Sequence, residues 1–68
     1  MGTDMHSVYS HKVRANVRPD GAIRDFCSKE FDLMLSADYT PERRVKEAIR
    51  ILRQMGLETR GVKVEERA

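Results

Sequence analysis

Residues 40–56 carry the signals for both ends of a helix and for one continuous apolar face, and no other stretch of the chain constrains the fold as strongly. Thr40 suits the N-cap, Pro41 the first helical position and Glu42 the positive end of the helix dipole. Val45, Ala48, Ile49, Leu52 and Met55 recur at intervals of three and four, so they share a face. Gly56 supplies a left-handed C-cap, Arg50 and Arg53 suit the negative end of the dipole, and Glu42 with Lys46 is a favourable i,i+4 pair. The pattern predicts a helix over residues 41–55 whose apolar face must be buried against another element.

The partner for that face is read from residues 9–17, which alternate. Tyr9, His11, Val13, Ala15 and Val17 point one way, and Ser10, Lys12, Arg14 and Asn16 the other, with Arg18 continuing the polar series. Period two with two valines predicts a half-buried strand. The run Arg18-Pro19-Asp20-Gly21-Ala22 follows, and it is a turn: proline presets φ at the second position and glycine accepts a positive φ. Residues 57–67 hold Val62 and Val64 among charged neighbours, the composition of a protected edge strand.

Residues 22–36 admit two readings, and the fold class turns on them. As a strand, Phe31, Leu33 and Leu35 alternate with Glu30, Asp32 and Ser36. A hairpin with a short loop at residues 19–21 then pairs Val17 with Ile23, Val13 with Cys27 and Tyr9 with Phe31, leaving Asp25 beside Ala15 as a misfit. As a helix, Ile23, Phe26, Cys27, Phe31, Met34 and Leu35 share a face. Periodicity alone does not choose; the turn chemistry favours the hairpin. The expected fold is therefore α+β, a small β-β-α-β antiparallel sheet with one helix on one face. The last strand is expected to lie beside the first.

The helical alternative gives the order β-α-α. In that reading the run Lys12-Val13-Arg14-Ala15-Asn16-Val17-Arg18-Pro19, followed by two helices, resembles the ribbon-helix-helix repressors and antitoxins. The resemblance implies a dimer whose paired strands enter the DNA major groove, with Lys12, Arg14 and Asn16 reading bases. The run from Thr40 to Arg50 is similar to that family's second helix, whose start holds a DNA phosphate.

Sixty-eight residues make one small domain with a thin core, here residues 1–68 with residues 1–7 expected to be flexible. Cys27 is the only cysteine, so no intrachain disulfide reinforces the core. His6, His11 and Cys27 have no metal-ligand spacing, so neither a metal nor another cofactor is expected. Self-association into a homodimer is the remaining support for so small a core. Residues 1–10 lack the basic flank and apolar run of a signal peptide, and no stretch approaches the roughly 18 apolar residues of a membrane span. A cytoplasmic protein without membrane contact is expected.

Chemistry has little to work with. Cys27 as a nucleophile needs a base, and only His11 comes near it in the hairpin register; a thiol on an apolar face is ordinarily an inert small hydrophobe. His6 lies in the terminal segment. The four glycines, Gly2, Gly21, Gly56 and Gly61, build no phosphate loop, and a thin domain has little room for a small-molecule pocket. The chain is read as a binding protein and not an enzyme.

Charge distribution suggests what it binds. Residues 41–57 carry five basic against two acidic residues, and residues 1–21 three against two, within a net charge of +2. Arginine and lysine attract phosphates, and arginine and asparagine also make bidentate base contacts. The expected nucleic-acid surface is Lys12, Arg14, Asn16, Arg18 and Arg24 on the strand face, with Arg43, Arg44 and Arg50 of the helix as supporting phosphate contacts. The alternative is a protein-interaction module of inhibitor, adaptor or antitoxin type, adding a strand or docking a helix on a larger partner. Nucleic-acid binding predicts that the strand and helix cations converge on one face. Protein binding requires an open edge or an exposed apolar patch.

Overall fold

A computed structural model describes residues 8–65. The expectations of flexibility at residues 1–7, and of His6 within them, lie outside the described residues. The elements are β1 (Val8–Pro19), β2 (Cys27–Ser36), α1 (Pro41–Gln54) and β3 (Leu57–Val64). The strands form one antiparallel sheet in the order β2-β1-β3, and α1 packs on one face of it. The β-β-α-β order is the expected one, and residues 22–36 hold no helix, which removes the ribbon-helix-helix alternative.

Alternation places β1 in the middle. His11, Val13, Ala15 and Val17 are buried at every second position, and the residues between them face the other way. Leu33 and Leu35 of β2 join this inner face, and Ala48 and Leu52 of α1 close over it. Phe31, Ile51, Leu57, Val62 and Val64 pack around that core half-buried. Met55, expected on the helix's apolar face, instead caps the helix and is 56% exposed; Ile51 takes the place at the core.

The helix is held at both ends as its sequence implies. Thr40 Oγ1 accepts the Arg43 amide at 3.2 Å, and Pro41 occupies the first turn. Past the C-cap, Gly56 adopts φ 84° and its amide donates to the Arg53 carbonyl at 2.9 Å. The Gly56 carbonyl accepts the Asp20 amide at 2.8 Å, so this turn is also fastened to the end of β1.

The hairpin register differs from the expected one. Val17 stands opposite Cys27, Val13 opposite Phe31 and Tyr9 opposite Leu35, so each partner lies four residues further along (Cys27 instead of Ile23). Residues 20–26 form a loop, with Ile23 fully exposed and Arg24 off the strand. Pro19 opens the turn, because its carbonyl accepts the Ala22 amide at 3.0 Å, and Gly21 takes φ 79°. That places proline at the first turn position and not the second.

The physical reason lies in the cross-strand pairs. The observed register sets Arg14 against Glu30 and Lys12 against Asp32, and it keeps Asp25 out of the ladder. Opposite charges directly across an antiparallel pair are stabilising, and the shorter register would forgo both pairs. Because the shift is even, every side chain keeps its face. The faces were legible from alternation even where the partners were not.

Between Arg14 and Asn16 the β1–β3 register shifts at a bulge. Gly61 sits there with φ 58°, the left-handed conformation that lets one strand carry an extra residue. Its effect is to return Val62 and Val64 to the inner face beside Val13.

Candidate binding surfaces

The outer face of the sheet carries Lys12, Arg14, Asn16 and Arg18 in a row, as the alternation predicts. Acids from both neighbouring strands meet them. The Arg14 guanidinium donates to Glu30, Lys12 Nζ lies 3.9 Å from Glu30, and Glu65 stands 3.9 Å from Arg14 on the other side. The Arg14 hydrogen bond and charge, with the charge of Lys12, hold the Glu30 carboxyl below its ordinary range. Acids thus line the β2 side of this stretch, while on the β3 side Lys63 stands opposite Arg14 and Arg60 opposite Asn16, so the outer face mixes both signs and is not a purely basic stripe.

Arg18 has a separate set of partners. Its Nε and Nη2 donate to Glu58 Oε1 at 3.1 and 3.0 Å, and its Nη1 donates to the Arg24 carbonyl at 3.1 Å. Its guanidinium carbon also sits 4.3 Å from the centre of the Phe26 ring, and Arg60 approaches the same ring at 4.3 Å. Glu58 Oε2 accepts the Gly21 amide at 3.0 Å. That amide, and then Arg18, keep the Glu58 carboxyl below its ordinary range. Arg18 thus ties loop 20–26 to β3. Arg24, expected beside it on the strand, contributes its backbone carbonyl there.

The helix cations lie on the other side of the molecule. α1 covers the inner face of the sheet, while the strand cations occupy the outer face, so the two groups do not converge. Arg43 is exposed with its guanidinium 4.9 Å from the Tyr39 ring centre, Arg44 is half-buried, and Arg50 is paired with Glu47 on the exposed face. The Arg50 hydrogen bond lowers the Glu47 carboxyl, with Arg43 adding to the effect.

Two further helix residues belong with these. Arg43, Lys46, Arg50 and Arg53 are all exposed and recur at spacings of three, four and three. They make one stripe along the outward side of α1, about 15 Å long at 1.5 Å per residue. Among the described residues neither Lys46 nor Arg53 is paired with a carboxylate. The spacing was present in the sequence, but Lys46 is equally explained there by its i,i+4 relation to Glu42, and Arg53 by the helix dipole.

His11 and Cys27 are apart. His11 is buried opposite Leu33, its Nδ1 donating to the Tyr9 carbonyl at 2.9 Å, whereas Cys27 is exposed opposite Val17. Six strand positions (17 − 11) separate the two pairs along β1, about 20 Å. The expected proximity of thiol and imidazole came from the shorter register and disappears with it.

Among the described residues no cluster of His, Cys, Asp and Glu side chains is arranged to hold a metal ion, and no helix is long and apolar enough to cross a membrane. Comparison with known proteins finds no matching family model, no matching curated protein and no matching solved structure.

Proposed function

We propose that this chain is a small non-enzymatic binding protein that engages the nucleic-acid backbone through the outward side of α1. The observation that supports this reading is the stripe of Arg43, Lys46, Arg50 and Arg53, faced on the same helix only by Glu42 and Glu47. Cations in a row along about 15 Å suit successive phosphates, which attract them through counterion release with no need for base contacts. Among the described residues Arg50 is the one member of the stripe with a carboxylate partner, Glu47, whereas Lys12, Arg14 and Arg18 of the strand each have one, so the strand contributes less. Asn16 stands beside them on the outer face, away from the stripe. Since the strand and helix cations do not converge, the contact rests on the helix stripe alone.

Fluorescence anisotropy with random double-stranded DNA tests it. Four phosphate contacts imply a loss of about 100-fold in affinity between about 50 and about 200 mM salt. Lys46→Glu with Arg53→Glu is expected to abolish binding, and Lys12→Ala with Arg14→Ala to leave most of it. Absence of binding at the lower salt sinks the reading.

A second reading, a protein-interaction module, is favoured by a different observation. Among the described residues β2 and β3 each have only β1 as a neighbour, so both outer edges present backbone groups that no described strand pairs. Such edges are templates for strand addition by another chain.

A further inference from the structure

Among the described residues no strand pairs with the outer edge of β3. The Asp20 amide bonds the Gly56 carbonyl, and the pairing continues through Pro19 with Leu57 and Arg18 with Glu58. Hydrogen bonding alternates along an antiparallel ladder. Glu58 and Arg60 therefore turn their backbone groups toward β1, and Leu57 and Thr59 turn theirs to the open edge.

An antiparallel copy of β3 centred on Thr59 satisfies those groups and brings opposite charge beside Glu58, which already holds Arg18, and Arg60, which already lies over Phe26. Thr59 then lies opposite Thr59 of the second copy, in a hydrogen-bonded pair. Glu58 lies opposite Arg60 of the second copy, and Arg60 opposite its Glu58, in the non-hydrogen-bonded pairs where side chains approach most closely. Both ion pairs fall on the outer face, and the register is even, so the two inner faces stay continuous.

On the inner side the same contact covers a cleft. A cavity of about 510 Å³ lies between α1 and β3, lined by Ile49 and Leu57 together with the polar side chains of Asp20, Arg53, Glu58 and Thr59. β2 is a poorer edge for self-pairing. Centring its antiparallel copy on residue 30, 31 or 32 sets Glu30 or Asp32 against a carboxylate of the second copy.

We infer that a second copy of this chain docks on the β3 edge about a two-fold axis at Thr59, giving a continuous six-stranded sheet with both helices on one face. The site borders the outward stripe of α1 at Arg53, which lines the cleft, and the dimer stands whether or not that stripe binds nucleic acid. It also supplies the support that a core of seven buried apolar side chains among the described residues calls for in so short a chain.

Sedimentation velocity at about 100 µM gives a dimer for the unaltered chain, a concentration at which a micromolar dissociation constant leaves little monomer. Arg60→Glu sets glutamate against glutamate at both pairs and gives a monomer with an unchanged circular dichroism spectrum. Geometry is checked separately. Thr59→Cys in a Cys27→Ser background places two thiols across the axis at about 5.5 Å between Cα atoms, within disulfide range. Air oxidation then gives a covalent dimer, whereas Ser28→Cys on the β2 edge in the same background stays monomeric on a denaturing gel. A monomer at that concentration, or cross-linking from residue 28 and not from residue 59, overturns the inference.

Discussion

Arg18 of β1 and Glu58 of β3 stand opposite each other, with Arg18 Nε and Nη2 on one carboxylate oxygen at 3.1 and 3.0 Å. The other oxygen of Glu58 receives the Gly21 amide at 3.0 Å. One carboxylate thus fastens the end of the central strand, the turn after it and the edge strand. A residue that charge alone assigns to ligand binding is here part of the architecture.

Removing that arginine is expected to weaken the fold. Arg18→Ala should cost about 1–2 kcal/mol in urea unfolding, the range for a hydrogen bond to a charged group reduced for partial exposure. Arg14→Ala, whose partners are equally charged but well exposed, should leave the urea midpoint nearly unchanged. Equal effects of the two substitutions would contradict the anchoring role.

Acid should loosen the same junction. The Glu58 carboxyl is depressed in the folded chain, first by the Gly21 amide and then by Arg18. The folded state therefore takes up this proton less readily than the unfolded one. The stabilisation is fully present above the unfolded value of about 4.3 and is lost as pH falls through the lower, folded value. Glu30 and Glu47 are shifted in the same direction. Urea midpoints should hold steady from pH 7 to about 5 and then decline. Glu58→Gln should lower the neutral plateau and flatten the acid limb; an acid limb as steep as that of the unaltered chain would remove Glu58 from the account.

Gly61 tests the bulge. At φ 58° an added Cβ meets Asn16 Nδ2 at 3.6 Å, an ordinary contact, so backbone strain is the only cost of a side chain there. Gly61→Ala should destabilise by about 1 kcal/mol, measured by thermal or urea unfolding. A neutral result would mean that the strand can shed the bulge. For comparison, Leu52→Ala removes a fully buried side chain and should cost about 2–5 kcal/mol.

Cys27 reports the hairpin register. It is exposed beside Val17, where the shorter register would have packed it against Val13. A thiol reagent should titrate one cysteine per chain in the native state nearly as fast as in denaturant. Strong protection would favour the shorter pairing.

Local chemistry determined much of this protein by itself. The capped helix with Ala48 and Leu52 inward, the alternation that buries Val13, Ala15 and Val17, the turn at Gly21 and the charged final strand are all legible from sequence. Each depends on neighbours within a few residues, through periodicity, capping or a required φ. Tertiary structure alone decided the rest. The hairpin register, the loop position of Arg24, the separation of His11 from Cys27 and the acid partners of Lys12, Arg14 and Arg18 depend on which strands meet and where. Pairing energy is summed over a whole ladder of cross-strand contacts, and an even shift of register leaves every face unchanged. The pattern along one strand therefore tells which side each residue occupies and is silent about what stands opposite it.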